Sequence, residues 1–176
     1  MNQKLDISEE LTLHNKNITF YPEISKLFMV KNLSLYGCSL TVIPSCIGNM
    51  INLKKLDLSK TNISELPKEI GLLIKLKSFS MIGNSITILP KEIGLLNKLI
   101  YLDCSHNLLT SLPKEICCLT KLKRLYLHAN KISSLPDMTP LINLKDISLC
   151  ENDLTSKILL QSHPLNYFTL LIYYNL

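Results

Sequence analysis

The stretch LPKEIGLLIKLKSF, residues 66–79, returns as LPKEIGLLNKLIYL at 89–102 and as LPKEICCLTKLKRL at 112–125. Its proline belongs to a series that recurs every 22 or 23 positions, at Pro22, Pro44, Pro67, Pro90, Pro113 and Pro136. A fixed period of this length along nearly the whole chain indicates a solenoid, in which similar units stack and share one core. Because the 176 residues contain no linker and no shift in composition, we expect one domain over 1–176.

Each unit fits the template LxxLxLxxNxLxxLP. The units begin at Ser8, Val30, Leu53, Leu76, Leu99, Leu122 and Leu144, with a partial eighth unit at Leu165. The LxL alternation has a period of two, which predicts one short strand per unit with one buried face, and parallel neighbours because the chain always advances the same way. The asparagine can bond backbone groups of neighbouring turns, and the proline marks the exit from the sheet. The following KEIGLL segment is long enough for a 3₁₀ turn but not for a long helix.

This pattern resembles the leucine-rich repeat family, and the LPKEIGLL phrase is most similar to the repeats of spirochaete bacterial proteins and of the intracellular Ras-group proteins. The resemblance implies an α/β fold, a single right-handed solenoid curved like a horseshoe. It implies a parallel sheet of short strands on the concave face and short 3₁₀ or loop segments on the convex face. It also implies that the protein binds a protein partner through the concave face.

Both ends of the chain depart from the template. Ser8 replaces the first leucine and Lys16 replaces the first asparagine, so residues 1–29 are interpreted as a degenerate N-terminal capping repeat. Residues 30–152 form the regular repeats, and 153–176 form an irregular C-terminal repeat or cap. The uncharged run at 168–174 is a candidate oligomer or capping edge, because natural proteins normally cover or charge an apolar edge strand. The residues of this run that are predicted to form the edge are Phe168, Leu170, Ile172 and Tyr173. Three alternatives remain for it: a homodimer or partner interface, a local cap, or the break point of a longer protein.

The resemblance places the non-leucine strand positions on the concave face. Tyr101, Arg124 and Tyr126 fall there on adjacent strands, and tyrosine and arginine dominate binding hot spots. We therefore expect the partner to bind mainly over units five to seven. The predicted partner-binding residues are Tyr36, Lys55, Asp57, Tyr101, Asp103, His106, Arg124, Tyr126, His128 and Asp146. The alternative is a solvated sheet face that simply requires polar side chains, since tyrosine is also a good strand former.

A basic stripe is the second candidate surface. The net charge is +5, and lysines recur at one repeat position, as Lys31, Lys54, Lys77, Lys123 and Lys145. Nucleic acid or an anionic surface is a minor alternative partner for this stripe, and its binding would fall steeply with salt. Because aromatic residues are sparsely interleaved with these lysines, nucleic acid is not the expected partner.

The sequence offers little chemistry for catalysis. Phosphate-binding, metalloprotease and hydrolase motifs are absent, and no CxxC pair suggests zinc. A dyad of Cys150 and His128 is conceivable, but a gently concave sheet lacks a water-excluding pocket. We therefore expect no enzyme, no cofactor and no bound metal.

The compartment is predicted from the cysteines and the N-terminus. No stretch of 18 apolar residues suggests a membrane span, and the first residues lack the apolar region of a signal peptide. Six cysteines lie scattered through the repeats, which favours free thiols in a reducing compartment. The first hypothesis is a cytoplasmic interaction module or scaffold, either a regulatory subunit or a pathogen effector. The alternative is a secreted or cell-surface recognition protein whose signal peptide has been removed.

Overall fold

Seven parallel strands of three residues each stack in chain order in the computed structural model, which describes residues 9–15 and 28–154. They are labelled β1 to β7: Glu10–Thr12, Asn32–Ser34, Lys55–Asp57, Ser78–Ser80, Tyr101–Asp103, Arg124–Tyr126 and Asp146–Ser148. Each strand pairs with the next without any shift in register, so that Leu33 faces Leu56 and Leu56 faces Phe79. The sheet is open, as the curved leucine-rich repeat solenoid requires.

The period-two pattern of the sequence accounts for these strands. The central residue of each strand from β2 onward is buried, whereas most of the flanking residues face solvent. The central residues form one continuous apolar ladder along the core: Leu33, Leu56, Phe79, Leu102, Leu125 and Ile147. The predicted parallel sheet is therefore confirmed, with the core on one side and a free face on the other.

The return segments are 3₁₀ turns where the KEIGLL pattern predicts them. Among the described residues these turns are Ser45–Asn49, Lys68–Leu72, Lys91–Leu95 and Lys114–Cys118. Each follows a proline in extended conformation, such as Pro67 with φ −69° and ψ 148°. Its isoleucine, for example Ile70, is completely buried against the core. None of the described helices has the length or the apolar character needed to cross a membrane.

Glycine in these turns permits close stacking of neighbouring units. A Cβ atom on Gly94 would lie only 2.5 Å from the carbonyl oxygen of Glu115 in the next turn. Cys117 occupies the same position one unit later, where the following return segment contains no 3₁₀ turn. Its Sγ instead donates to the carbonyl of Asp137 at 2.7 Å. The change from glycine to cysteine thus coincides with a change in the neighbouring unit.

The asparagine after each strand ties two units together. Asn107 Nδ2 donates to the carbonyl of Met81 in the preceding unit at 2.9 Å and to that of Cys104 at 3.0 Å. Its Oδ1 accepts from the backbone N–H of Ile86 at 3.1 Å. Asn84, Asn130 and Asn152 make the same set of contacts in their own units. This asparagine ladder satisfies backbone groups that the solenoid buries.

Earlier units have smaller donors at the asparagine position, Cys38 in the second unit and Thr61 in the third. Thr61 Oγ1 donates to the carbonyl of Leu58 at 2.7 Å, and Cys38 Sγ donates to that of Leu13 at 3.0 Å. Both side chains are buried. Lys16 lies outside the described residues.

A left-handed residue precedes the asparagine position in every described unit. Glycine fills it at Gly37 and Gly83, where φ is 69° and 67°. The other units use Asn15, Lys60, His106, Ala129 and Glu151, with φ between 51° and 55°. Left-handed backbone is strained for residues with a Cβ, so the turn geometry is imposed by the stacked units and not by local preference.

The predicted ends of the domain fall only partly within the described residues. Strand β1 belongs to the proposed N-terminal cap and pairs with β2 of the first regular repeat. Leu11 and Leu13 of the cap are only partly buried against the core. The remainder of 1–29 and nearly all of 153–176 lie outside the described residues. The same holds for the partial unit at Leu165 and for Phe168, Leu170, Ile172 and Tyr173, so the three alternatives for the C-terminal edge stay predictions.

Asn107→Ala should lower the free energy of unfolding by about 2 kcal/mol, because it leaves the buried N–H of Ile86 without its partner and removes one of the two asparagine donors from the carbonyls of Met81 and Cys104. Urea unfolding followed by circular dichroism measures this loss. Asn97→Ala is the matched control, since Asn97 is exposed on the convex side. Equal effects of the two substitutions would contradict the structural role of the asparagine ladder.

Candidate functional site

Strands β5 and β6 place two tyrosines and an arginine side by side on the concave face. Tyr101 pairs in register with Arg124, and Asp103 with Tyr126. The two tyrosine rings meet edge to face, with centroids 5.7 Å apart and an interplanar angle of 74°. The guanidinium carbon of Arg124 lies 5.3 Å from the centroid of the Tyr101 ring. These residues, here called the tyrosine–arginine cluster, are therefore brought together as the sequence predicts.

Two aspartates anchor the tyrosine hydroxyls. Tyr101 Oη donates to Asp103 Oδ2 at 2.8 Å, and Tyr126 Oη donates to Asp146 Oδ2 at 2.5 Å. Burial, together with the bond to Asp103, raises the pKa of Tyr101 well above its ordinary value. The bond to Asp146, together with burial, raises the pKa of Tyr126 to about 12. Both phenols thus remain protonated, and their rings are held in fixed orientations.

Asp103 lies beneath the cluster, and only 5% of it is exposed. It therefore orients Tyr101 and offers little surface for direct contact with a partner. Its Oδ1 accepts from the Ser105 backbone N–H at 3.0 Å and from Ser105 Oγ at 2.7 Å. Ser105 Oγ also lies 2.9 Å from His128 Nδ1. Since the serine proton is directed to Asp103, we infer that His128 Nδ1 carries a proton and donates it to the serine oxygen.

Two histidines extend the cluster at the carboxyl ends of the strands. The rings of His106 and His128 meet edge to face, with centroids 5.0 Å apart and an interplanar angle of 86°. His106 is in the left-handed conformation and exposed, whereas His128 is half-buried. Hydrogen bonds and ring contacts thus connect seven of the predicted site residues. These are Tyr101, Asp103, His106, Arg124, Tyr126, His128 and Asp146.

The three remaining predicted residues belong to the N-terminal half of the concave face. Tyr36 packs against His14, with ring centroids 5.8 Å apart, and lies 5.5 Å from Lys60 Nζ. Asp57 accepts from the Ser59 backbone N–H at 2.9 Å and from Ser34 Oγ at 3.4 Å. Lys55 lies on β3 and is exposed. Strand β4 separates this half from the tyrosine–arginine cluster, so the structure does not bring Tyr36 into it.

Strand β4 contributes two concave-face residues that are not among the predicted partner-binding residues. Ser78 and Ser80 are small, and they lie between the larger side chains of β3 and β5. One shallow depression of about 230 Å³ reaches from β1 to β4, and a second of about 390 Å³ reaches from Lys55 to Arg124. The signal in the sequence is that β4, alone among the described strands, carries serine at both outward positions.

The lysine stripe lies at the amino ends of the strands. Lys54, Lys77, Lys123 and Lys145 are exposed. Lys31 instead forms an ion pair with Glu9, and this bond lowers the pKa of the glutamate. Ile100 occupies the corresponding position in the fifth unit. The stripe is therefore interrupted in the middle and partly neutralised at its first position.

Two side chains that could act as nucleophiles lie at or near the cluster, the Ser105 hydroxyl and the Cys150 thiol. The Ser105 hydroxyl is completely buried beneath the concave face and already engaged on both sides. Cys150 Sγ lies 3.7 Å from Ser148 Oγ, while the Nδ1 atom of His128 faces Ser105. Over 9–15 and 28–154, no three histidine, cysteine, aspartate or glutamate side chains are grouped so that they could hold a metal ion.

Tyr101 and Tyr126 should ionise later than the other tyrosines in an alkaline titration followed by the ultraviolet absorbance of phenolate. Unfolded tyrosine titrates near pH 10, so the stability due to the raised pKa of Tyr126 is complete below about pH 10 and is lost as pH rises toward about 12. Tyr126→Phe should remove one late-titrating group. Loss of a group that titrates near pH 10 instead would contradict the hydrogen bond to Asp146.

Comparison with family models identifies the repeats. The model described as Leucine Rich Repeat matches residues 29–50 and 52–73. The model described as Leucine Rich repeats (2 copies) matches residues 97–143. Together these matches cover about half of the chain. No curated protein sequence matches the chain significantly.

Solved structures show the same architecture. A leucine-rich repeat protein of Leptospira interrogans is 33% identical with a TM-score of 0.65, over 83% of this chain and 44% of that protein. Internalin C2 of Listeria monocytogenes is 28% identical with a TM-score of 0.73, over 84% and 63%. The plant peptide hormone receptor RGFR1, in complex with RGF2, is 30% identical with a TM-score of 0.72, over 81% and 24%. This chain thus spans less than two thirds of the length of each.

The finer resemblance to spirochaete and Ras-group repeats stays a prediction. The broader resemblance is confirmed by both the matched models and the stacked units of strand, asparagine and proline. On this evidence the chain belongs to the leucine-rich repeat family, whose members commonly mediate protein–protein interaction.

Proposed function

We propose that this chain is a non-enzymatic interaction module that holds a protein partner on its concave face, over β5 to β7. The observation that carries the proposal is the tyrosine–arginine cluster, in which each side chain is ordered before any partner arrives. Tyr101 and Tyr126 are fixed by aspartates, and Arg124 is stacked on Tyr101. Side chains that are already ordered lose little entropy on binding, and tyrosine and arginine contribute most to binding hot spots.

The shape of the face supports a macromolecular partner. The depressions along the face are shallow and open to solvent, so they offer a surface for a protein segment and no enclosed space for a small substrate. The burial of the Ser105 hydroxyl supports a role without catalysis. In this role the chain acts as a scaffold or regulatory subunit, or as an effector that engages a host protein.

We further propose an intracellular location for the protein. Cys38 and Cys104 act as core residues: Cys38 donates its thiol proton to a carbonyl, and burial raises the pKa of the Cys104 thiol. Protonated, buried thiols of this kind are inert and suit a reducing compartment. Recognition outside the cell or at its surface is the alternative, and it requires the cysteines to be oxidised or protected.

The double variant Tyr101→Ala/Arg124→Ala should lose a partner that the wild-type chain captures from a lysate of the source organism. Removing two hot-spot side chains costs about 2 kcal/mol or more in binding, a loss of roughly 30-fold or more in affinity. Mass spectrometry of the captured proteins, followed by calorimetry with the purified partner, measures the effect.

The matched control for this experiment is Ile142→Ala/Lys121→Ala, which also removes one large exposed side chain and one cation, but away from the concave strands. Circular dichroism establishes that both double variants are folded. Equal capture by the two variants would place the partner elsewhere on the molecule.

All six cysteines should react as free thiols when the protein is isolated without reductant, denatured and titrated with a chromogenic disulfide reagent. A reducing compartment keeps such thiols from pairing. A sample reduced before titration serves as the control for the full thiol count. If the unreduced sample fell short of the reduced one by a pair of thiols or more, the extracellular alternative would be favoured.

A further inference from the structure

We propose that the depression between β3 and β6 binds two carboxylates of an extended acidic peptide segment. This inference rests on the protein-binding function proposed above and specifies the chemistry of the partner. The depression has a volume of about 390 Å³ and is lined by Lys55, Lys77, Ser78, Ile100, Tyr101 and Arg124. It opens over Ser78, because that residue is small whereas its neighbours on β3 and β5 are large.

Three cations line this depression without a direct ion pair. Lys55, Lys77 and Arg124 form no ion pair with any carboxylate in the described part of the chain. Lys31, which occupies the same repeat position as Lys77, does pair with a glutamate. The positive charge at the depression is thus available to an incoming ligand.

The nearby aspartates keep their negative charges but make no direct ion pair with these cations, because their oxygens accept hydrogen bonds from neutral donors. Asp57 accepts from Ser59 and Ser34, and Asp103 accepts from Tyr101 and Ser105. Asp146, opposite Arg124 in the sheet register, accepts a hydrogen bond from the Tyr126 hydroxyl. Direct contact with the ammonium and guanidinium groups is therefore left open to an incoming carboxylate.

Arg124 is the cation best prepared to bind a carboxylate. Its guanidinium stacks on the Tyr101 ring at 5.3 Å, and Tyr101 is itself held by Asp103 and by the edge of Tyr126. A stacked guanidinium still presents its N–H groups at its edge, where they match the two oxygens of a carboxylate. Lys55 and Lys77 instead offer single ammonium charges.

The spacing of the cations requires more than one anionic group. Lys77 immediately precedes β4 and Arg124 begins β6, two strands further on, which corresponds to about 10 Å at the usual strand separation. A peptide in the extended polyproline II conformation advances about 3.1 Å per residue with three residues per turn, so acidic residues three positions apart lie on one face and span this distance. The depression of about 230 Å³ shares Lys55 and Ser78 with this one, so the open surface continues across the strands toward β1. An extended segment lying across the strands fits this shape.

The test uses a fluorescein-labelled glycine–serine peptide with two glutamates three positions apart, and fluorescence anisotropy with the whole chain at low salt. The expected result is saturable binding that is lost when both glutamates are replaced by glutamine. Arg124→Gln and Lys77→Gln should each weaken binding roughly tenfold, the effect of removing one charge-assisted contact.

Lys123→Gln is the matched control, because Lys123 is an exposed lysine of the same stripe that does not line the depression. It should leave the affinity for the peptide nearly unchanged. If Lys123→Gln weakened binding as much as Lys77→Gln, the effect would be general electrostatic attraction and the proposed site would be wrong. Tighter binding of a peptide with one phosphoserine, or of single-stranded DNA, would also overturn the acidic-peptide assignment.

A comparison with the captured partner separates this inference from the proposed function. Suppose the partner requires Tyr101 and Arg124 but tolerates the double variant Lys55→Gln/Lys77→Gln. The protein-binding function would then stand, and the acidic-peptide site would fail. If the acidic peptide binds as expected and no protein is held by the concave face, the site would stand without the proposed function.

Discussion

Every unit of the solenoid depends on backbone hydrogen-bonding groups that it buries and cannot satisfy alone. The asparagine ladder meets this constraint, because one amide joins two carbonyls and one N–H from two successive units. A buried unpaired group costs about 1–3 kcal/mol, so the loss of one asparagine affects both units that it connects. The stability of each unit is therefore inseparable from that of its neighbour.

Packing of the core keeps some positions of the repeat nearly constant and leaves others variable. The central strand residues and the turn isoleucines must fill the core, and they vary little in character from unit to unit. The residues that flank them on the concave face carry no such requirement. Differences among these positions, serine on β4 and tyrosine on β5, therefore shape the surface without disturbing the core. The outward positions of the concave strands can therefore differ between units at little cost to the core.

Much of the candidate site could be predicted because the register of a solenoid follows directly from its period. Tyr101, Arg124 and Tyr126 meet for that reason alone. The engagement of Asp103 could not be predicted, since it depends on the turn that brings the Ser105 hydroxyl beneath the strand. The role of Ser78 was equally hidden, because a small residue matters only through the size of the side chains on both sides of it.

The sequence by itself determined the repeat length, the parallel order of the strands, the buried ladder and the polar face, because each of these follows from the period of the apolar residues and the positions of proline. The tertiary structure alone decided which charges on that face are neutralised and which remain free. Lys31 meets Glu9, the aspartates turn to tyrosine and serine hydroxyls, and Arg124 stacks on Tyr101. The physical reason is that repeat spacing fixes the backbone position of each residue. The partner of its charged group depends on which side chains the stacking of units places beside it.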